Sequence, residues 1–242
     1  MTQSRTACGH LLTRSAAFWS FSLILSACDR AAVANKHDEP PPGATPSLAP
    51  VAAMKAPAMK EYVATPEALL GTLPEGVGVP PGRSPSDAVL DDISGGKVDL
   101  QELAEKRGPL LVVFYRGGWC PYCNFEIHQL TAAFADYQKR GVLPVAISVD
   151  RLDEASKTAA TYVIPFPVLS DPDLKAHEAF GIARTADAAE VAKLKSFGID
   201  IETASGRTHH KFAIPALFLV DRSFTVRWAH ADPDYKVRPR TP

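Results

Sequence analysis

Two cysteines, Cys120 and Cys123, form a Cys-Pro-Tyr-Cys tetrapeptide in the interior of the 242-residue chain. A spacing of three residues places both sulfur atoms in the first turn of a helix, close enough to form a small disulfide. A helix start presents unpaired N–H groups and about half a positive charge, which stabilises a thiolate and lowers a cysteine pKa from ~8.5 into the range of roughly 3.5–7.5. Because the thiolate is the attacking species, this pair predicts thiol–disulfide chemistry.

The residues beside the pair suit this position. Pro121 would be the first helical residue, where its missing N–H costs no hydrogen bond. We expect Trp119 to cover the pair while one sulfur stays reachable. We expect Arg116 either to stabilise the thiolate or to hold the turn that it begins with two glycines.

Two other uses of a Cys-x-x-Cys pair are less favoured. A zinc site needs four ligands, and His209-His210 would supply the other two only by coincidence. An inert structural disulfide at this spacing closes so small a loop that it stabilises little. We therefore expect no metal and no bound cofactor.

The elements that position the pair are a buried strand before it and a helix after it. Leu110–Tyr115 is a continuous apolar run, typical of a strand that is buried on both faces. After the pair, apolar residues recur on one face of a helix that ends at Lys139-Arg140-Gly141. That face carries Ile127, Leu130, Phe134 and Tyr137.

Strand and helix patterns alternate along the rest of the chain. They predict a hairpin around Ser94-Gly95-Gly96, a helix from Asp99 to Lys106, strands at Val142–Val149, Phe166–Leu169, Ala216–Val220 and Phe224–His230, and helices after Asp150 and around Leu174–Phe180 and Ala188–Ser196. This order predicts an α/β fold with a central mixed sheet and helices on both faces.

The N-terminal residues 1–28 have the features of an export signal. A basic start and a short apolar run are followed by Leu25-Ser26-Ala27-Cys28, which resembles the bacterial lipoprotein box. Lipidation of Cys28 would anchor the protein to a membrane on the periplasmic side of the cell envelope, and Asp29 weakly favours the inner membrane. A plain signal peptide that happens to contain a cysteine is the alternative.

The rest of the chain divides into a spacer and one domain. Residues 29–64 are rich in Ala and Pro, so we expect a disordered linker, followed by a single domain over 65–242. The formal net charge of −1 does not suggest a nucleic-acid surface. The basic tail with Lys236, Arg238 and Arg240 is interpreted as a solvated end.

A longer motif surrounds the cysteines. The run Tyr115–Asn124, followed by Glu126, resembles the peroxiredoxin-like branch of the alkyl hydroperoxide reductase/thiol-specific antioxidant family. Further stretches are similar to that family: Leu169–Asp173 with Phe180-Gly181, Ile214–Asp221, and Asp232–Tyr235 with Arg238. The resemblance covers roughly residues 85–240 and implies a thioredoxin-like fold. In that fold Ile214-Pro215 would be a cis-proline loop facing the cysteines; a trans proline starting an edge strand is the alternative.

The resemblance leaves the roles of the two sulfurs open. By likeness to a thioredoxin, Cys120 attacks and Cys123 resolves, although Val113 stands where thioredoxins place a buried acid. By likeness to a peroxiredoxin, Cys123 is the peroxidatic residue because Glu126 follows it as in the family's Cys-x-x-Glu. Cys120 then replaces the motif's threonine, which normally hydrogen-bonds the peroxide, and Arg116 replaces its proline.

Three functions are compatible with this sequence. The first is an antioxidant thiol peroxidase, in which a peroxide oxidises the thiolate, a Cys120–Cys123 disulfide forms and an external dithiol restores it. The second is an envelope thiol–disulfide oxidoreductase that acts on protein disulfides. The third is a non-catalytic lipoprotein whose domain binds a partner.

Overall fold

The computed structural model describes residues 60–61 and 71–239 of the chain. The strands are β1 (Lys60–Glu61), β2 (Val89–Asp92), β3 (Lys97–Asp99), β4 (Leu110–Phe114), β5 (Leu143–Ser148), β6 (Val168–Ser170), β7 (Ala183–Thr185), β8 (Lys211–Ala213), β9 (Ala216–Val220), β10 (Val226–Ala231) and β11 (Val237–Arg238). The helices are α1 (Leu100–Arg107), α2 (Pro121–Ala132), α3 (Phe134–Lys139), α4 (Leu152–Tyr162), α5 (Lys175–Ala179), α6 (Ala188–Ser196) and α7 (Ile201–Ser205).

Seven strands form one mixed sheet in the order β10-β9-β4-β5-β6-β2-β3. Strands β4, β5 and β6 run parallel, whereas β9 pairs antiparallel with β4 and β10 antiparallel with β9. On the other side, β2 pairs antiparallel with both β6 and β3. The predicted α/β fold with a central mixed sheet is confirmed.

Strand β4 separates the two faces of the core. All five of its residues are buried, because both faces of this inner strand are covered. Val112 and Phe114 belong to the core cluster on one face, and Leu111 and Val113 belong to the cluster on the other face. That second cluster contains both cysteines, so the sheet itself supports the site.

The predicted helix after the cysteines is divided. Helix α2 ends at Ala132, and Ala133 (φ −87°, ψ 1°) separates it from α3. Phe134 and Tyr137 still pack on the same core cluster as Ile127. The apolar face therefore continues across the break, and its periodicity could not reveal the interruption.

Other boundaries follow the predictions closely. Asp99 caps α1 by accepting a hydrogen bond from the Glu102 N–H, and Gly108 follows its end. Strand β6 begins at Val168 rather than Phe166. The sequence did not predict the small β7–β8 sheet or α7, since each is only three to five residues long.

The chain ends of the described part lie together. Lys60–Glu61, from the segment predicted to be a spacer, pair in parallel with Val237–Arg238. The predicted signal peptide, the lipidation residue Cys28 and Asp29 lie outside the described residues, and the domain start at residue 65 stays a prediction. Over 60–61 and 71–239, no helix is both long and apolar enough to cross a bilayer.

Candidate active site

The two cysteines lie at the start of α2. Cys120 is the N-cap residue, Pro121 is the first helical residue, and Cys123 is in the first turn. Both side chains are buried free thiols, and their sulfur atoms are 2.6 Å apart. A disulfide bond is ~2.05 Å long, so the two sulfur atoms need to move by only about half an ångström when an oxidant converts the thiols to a disulfide.

The loop before the cysteines is fixed from both sides through Gly118. The Gly118 N–H donates to Asp150 Oδ2 at 2.7 Å, and Asn124 Nδ2 donates to the Gly118 carbonyl at 2.6 Å. A Cβ on Gly118 would lie 2.0 Å from Thr158 Oγ1, and one on Gly117, whose φ is +146°, would lie 2.3 Å from Trp119 Nε1. Only glycines allow this close approach.

The pKa values of the two thiols are shifted in opposite directions. The hydrogen bond from the Cys123 thiol is the largest cause of a lowered Cys120 pKa, which falls to about 7 although burial alone would raise it. The Cys123 backbone N–H and the charges of Arg116 and Arg238 also lower it. Burial raises the pKa of Cys123 well above its ordinary value, and the neighbouring Cys120 raises it further. The first negative charge of the pair therefore resides on Cys120.

Arg116 lies in an aromatic cage beside Cys120. Its guanidinium carbon is 4.9 Å from the Trp119 ring centroid, 4.6 Å from that of Phe212 and 4.5 Å from that of Tyr235. Its Nη2 is 3.1 Å from Glu190 Oε1 on α6. Cation–π contacts and an ion pair hold the buried charge. The sequence placed Arg116 at the site, whereas Glu190 carried no local signal.

Arg238 contacts the other cysteine. Its Nη2 donates to Cys123 Sγ at 3.5 Å, and its Nε is 3.0 Å from Glu126 Oε2. Burial raises the pKa of Glu126, and the Arg238 charge opposes this rise. Since Arg238 is only 3% exposed, the interpretation of the tail as a solvated end was wrong for this residue.

A cavity of about 620 Å³ lies beside Cys120. Arg116, Trp119 and Pro121 line it together with Cys120. Leu194 and Phe197 contribute an apolar wall. Cys123 is not among its lining residues, so the cavity reaches one sulfur of the pair.

The remaining predicted residues lie elsewhere. The Ile214 N–H donates to the Ile182 carbonyl, and Pro215 directly precedes β9; neither lines the cavity at Cys120, and the cis peptide stays a prediction. His209 contacts the Pro172 carbonyl, and His210 contacts Glu202. In the part of the chain that the structure describes, no three His, Cys, Asp or Glu side chains are grouped to hold a metal ion.

The sequence did not single out the buried carboxyl group of Asp150. Asp150 is the second residue after β5, the parallel neighbour of the strand that leads to the cysteines. The carboxyl ends of parallel strands meet at one edge of a sheet, and this placement was the available signal.

Curated relatives of the chain include two kinds of thiol protein. The thiol–disulfide oxidoreductase ResA of Bacillus thuringiensis is 28% identical over 102 residues, which are 42% of this chain and 57% of that protein. The chloroplastic peroxiredoxin Q of Sedum lineare is 29% identical over 101 residues, which are 42% of this chain and 53% of that protein. The chain thus spans just over half the length of these relatives.

Solved structures of other proteins share the fold of this chain. Peroxidoxin BcpB from Mycobacterium tuberculosis matches with a TM-score of 0.51 and 20% identity, over 64% of this chain and 86% of that one. Peroxiredoxin 6 of Arenicola marina matches with a TM-score of 0.52 and 14% identity, over 66% of this chain and 68% of that one. Residues 81–229, more than half of the sequence, match the AhpC/TSA family. The chain belongs to this family.

Proposed function

We propose that the protein is a thiol peroxidase in which Cys120 attacks the peroxide and Cys123 resolves the product. The observation that carries the proposal is a pair of free thiols 2.6 Å apart, of which Cys120 has a pKa lowered to about 7 and Cys123 a raised pKa. A sulfur that is ionised near neutral pH and lies beside a cavity is suited to attack.

The reaction balances in three steps. The Cys120 thiolate attacks the terminal oxygen of a hydroperoxide, so that an S–O bond forms and the O–O bond breaks, and the leaving alkoxide or hydroxide takes a proton from solvent and departs as an alcohol or water. The sulfenic acid on Cys120 then condenses with the Cys123 thiol, which forms the disulfide and releases water. An external dithiol reduces that disulfide and is itself oxidised.

Arg116 offers a replacement for the missing threonine of the peroxiredoxin motif. Its Nε is buried and has no hydrogen-bond partner among the described residues, and its side chain lines the cavity at Cys120. An N–H donor there would stabilise the negative charge that develops on the leaving oxygen.

Trapping with dimedone during hydrogen peroxide treatment tests this proposal. In Cys123→Ser we expect a lasting adduct on Cys120, because the sulfenic acid cannot be resolved. In Cys120→Ser we expect no adduct at Cys123 and peroxide decay at the rate of buffer. Peroxide decay with an adduct on Cys123 in the Cys120→Ser protein would instead assign the attack to Cys123.

A second candidate function is thiol–disulfide exchange with protein disulfides. The similarity to ResA favours it, and the same division between an attacking Cys120 and a resolving Cys123 would serve it. Insulin-disulfide reduction separates the two functions. If both serine variants lose insulin reduction while peroxide decay is the same in wild type and variants, the peroxidase proposal fails and this candidate takes its place.

We further propose that the protein acts in the cell envelope, held by a lipid on Cys28. This proposal rests on the resemblance of Leu25–Cys28 to a lipoprotein box. Mass spectrometry of the mature N-terminal peptide tests it: we expect a diacylglyceryl-modified Cys28, and an unmodified cysteine there would contradict the proposal.

A further inference from the structure

A second cavity, of about 420 Å³, is lined by Gly118 and Trp119 of the cysteine loop but by neither cysteine. Part of its wall is apolar, with Ile199 and Ala204 beside the Trp119 indole. A water molecule occupies ~30 Å³ in the liquid, so this cavity has room for a small organic molecule.

Asp150 is a buried residue of this lining with one unpartnered oxygen. The residue is only 1% exposed. Its Oδ2 accepts hydrogen bonds from the Gly118 N–H at 2.7 Å and from Ser148 Oγ at 3.1 Å. Its Oδ1 is buried and has no hydrogen-bond donor among the described residues. A buried carboxylate oxygen without a donor is costly, so a ligand that brings a donor would be stabilised there.

Asp150 also differs from two other buried acids, each of which has a basic partner. Glu126 is paired with Arg238, and Asp171 is paired with His177. In the described part of the chain, Asp150 contacts no lysine, arginine or histidine side chain. A bound cation would supply the counter-charge that this buried carboxylate lacks.

The rest of the cavity is acidic as well. Half-buried Glu154 and exposed Asp200 line it, together with a single lysine, Lys157. Lys157 Nζ is 2.7 Å from Glu154 Oε1, so this lysine is already paired. Asp200 caps α7 through backbone N–H groups and makes no ion pair among the described residues. The lining therefore carries a net negative charge when Asp150 is ionised.

We infer that this cavity binds a small organic cation, whose primary ammonium group pairs with Asp150 and whose carbon chain lies along the apolar wall. An ammonium group has three N–H donors and can satisfy Asp150 Oδ1. A second ammonium group, as in a diamine, would be attracted by Asp200 at the open side. Mg²⁺ and Ca²⁺ fit less well because they take six or more oxygen ligands, and the described residues hold no group of three metal-binding side chains. This inference does not depend on the proposed function.

Binding should depend on pH through Asp150. Burial raises the pKa of Asp150 to about 7 in the free protein, and the Glu154 charge acts in the same direction. Because the cation pairs with the carboxylate, its affinity should rise about 10-fold from pH 6 to pH 8 and level off above that. The other titratable groups that face Asp150 are Glu154 and Lys157 of α4, Asp200 before α7 and Tyr115 after β4.

The cavity is connected to the cysteine loop through the Gly118 N–H. A bound cation keeps Asp150 ionised, and an ionised acceptor makes the stronger hydrogen bond to this N–H. At pH 6, where Asp150 is mostly protonated without ligand, saturating cation should therefore slow hydrogen exchange of the Gly118 amide. Binding without this slowing would place the cation elsewhere and overturn the assignment to Asp150.

Isothermal titration calorimetry with 1,4-diaminobutane tests the inference on the full, reduced protein at low ionic strength. In wild type we expect one binding site at pH 8. Asp150→Asn should weaken binding at least ~10-fold and abolish its rise with pH. Asp153→Asn is the matched control, since Asp153 is an exposed acid of α4 outside the cavity, and it should stay within ~2-fold of wild type.

A neutral ligand and two threonine variants make the result specific. 1,4-Butanediol has the same chain length without charge and should bind at least ~10-fold more weakly. Thr161 is an exposed lining residue, so Thr161→Arg adds a positive charge and should weaken diamine binding at least ~5-fold; it carries the test if Asp150→Asn does not fold. Thr185→Arg, on β7 outside the cavity, should not weaken it.

Three results would overturn the inference. They are no diamine binding in wild type, equal binding of the diamine and the diol, and unchanged binding in either Asp150→Asn or Thr161→Arg. None of these measurements requires peroxide to be consumed, so a failure of the peroxidase proposal leaves this test intact.

Discussion

The surroundings of Cys120 and of Cys123 differ although their sulfur atoms are 2.6 Å apart. Cys120 caps a helix, accepts a hydrogen bond from its partner and lies beside a cavity with Arg116. Cys123 is fully buried and is in contact with Arg238 from the end of the described chain. The Cys120 sulfur is therefore suited to attack as a thiolate, whereas the Cys123 sulfur stays protonated as a thiol.

The difference teaches that the tetrapeptide alone does not assign the roles. The same helix start favours the thiolate form of both cysteines, but the hydrogen bond between them can stabilise only one negative charge at a time. The fold decides which one by burying Cys123 and giving Cys120 access to a cavity. Four changes would break or sharpen this comparison.

The largest effect is expected on the Cys123 side, from Arg238→Met. Removing one partner of the buried Arg238–Glu126 pair leaves an uncompensated charge and should lower the free energy of unfolding by roughly 3–5 kcal/mol in urea denaturation. The double variant Arg238→Met/Glu126→Leu should recover much of that loss. Lys236→Met, a change to a partly exposed neighbour, should cost less than ~1 kcal/mol. Equal losses in Lys236→Met and Arg238→Met would contradict the importance of the pair.

The next effect concerns Asp150 and has a defined dependence on pH. Its pKa is raised to about 7 in the folded protein and returns to ~3.9 on unfolding, so the folded state binds the extra proton between these values. The free energy of unfolding of wild type should therefore fall, relative to Asp150→Asn, as the pH rises from about 4 to about 7, by on the order of 3 kcal/mol. Urea denaturation of both proteins across this pH range measures the difference between their free energies of unfolding. A difference that does not change with pH would contradict the raised pKa of Asp150.

A smaller effect is expected from the hydrogen bond between the sulfurs. Cys123→Ala removes the donor and should raise the pKa of Cys120, which slows alkylation by iodoacetamide at pH 7 by about 10-fold. Cys123→Ser keeps a donor and should stay within ~3-fold of wild type. If both variants alkylate at the same rate over the whole pH range, the thiol of Cys123 does not set the acidity of Cys120.

The smallest effect is expected from Arg116→Gln. The Arg116 charge is a lesser cause of the lowered pKa of Cys120, so alkylation at pH 7 should slow by only about 2–3-fold. Arg184→Gln is the matched control, because Arg184 also pairs with Glu190 but belongs to β7. Equal slowing in the control would mean that loss of an ion pair with Glu190 disturbs the local structure, and that the Arg116 charge does not itself lower the pKa of Cys120.

The local elements of the site could be predicted because their signals are local. The apolar run of β4, the cap at Asp99 and the proline after Cys120 each depend on neighbours in sequence. The boundaries of α6 and β9 were predicted for the same reason, because the pattern of apolar residues begins and ends with each element.

The contacts that separate the two sulfurs could not be predicted in this way. Arg238 reaches Cys123 across 115 positions, and Arg116 reaches Glu190 across 74. A basic residue near a chain end has the same sequence pattern whether it is solvated or buried against a carboxyl group. Only the tertiary fold, through the pairing of β11 with β1 and the placement of α6, brings these groups to the site.

The most direct test of the account follows each sulfur separately. The ¹³Cβ chemical shifts of cysteine-labelled reduced protein, assigned with the Cys120→Ser and Cys123→Ser variants, report the ionisation of each thiol as the pH is raised. We predict that Cys120 titrates first, with a midpoint near pH 7, and that Cys123 titrates only afterwards, because burial raises its pKa well above the ordinary cysteine value. Titration of Cys123 before Cys120 would contradict the account.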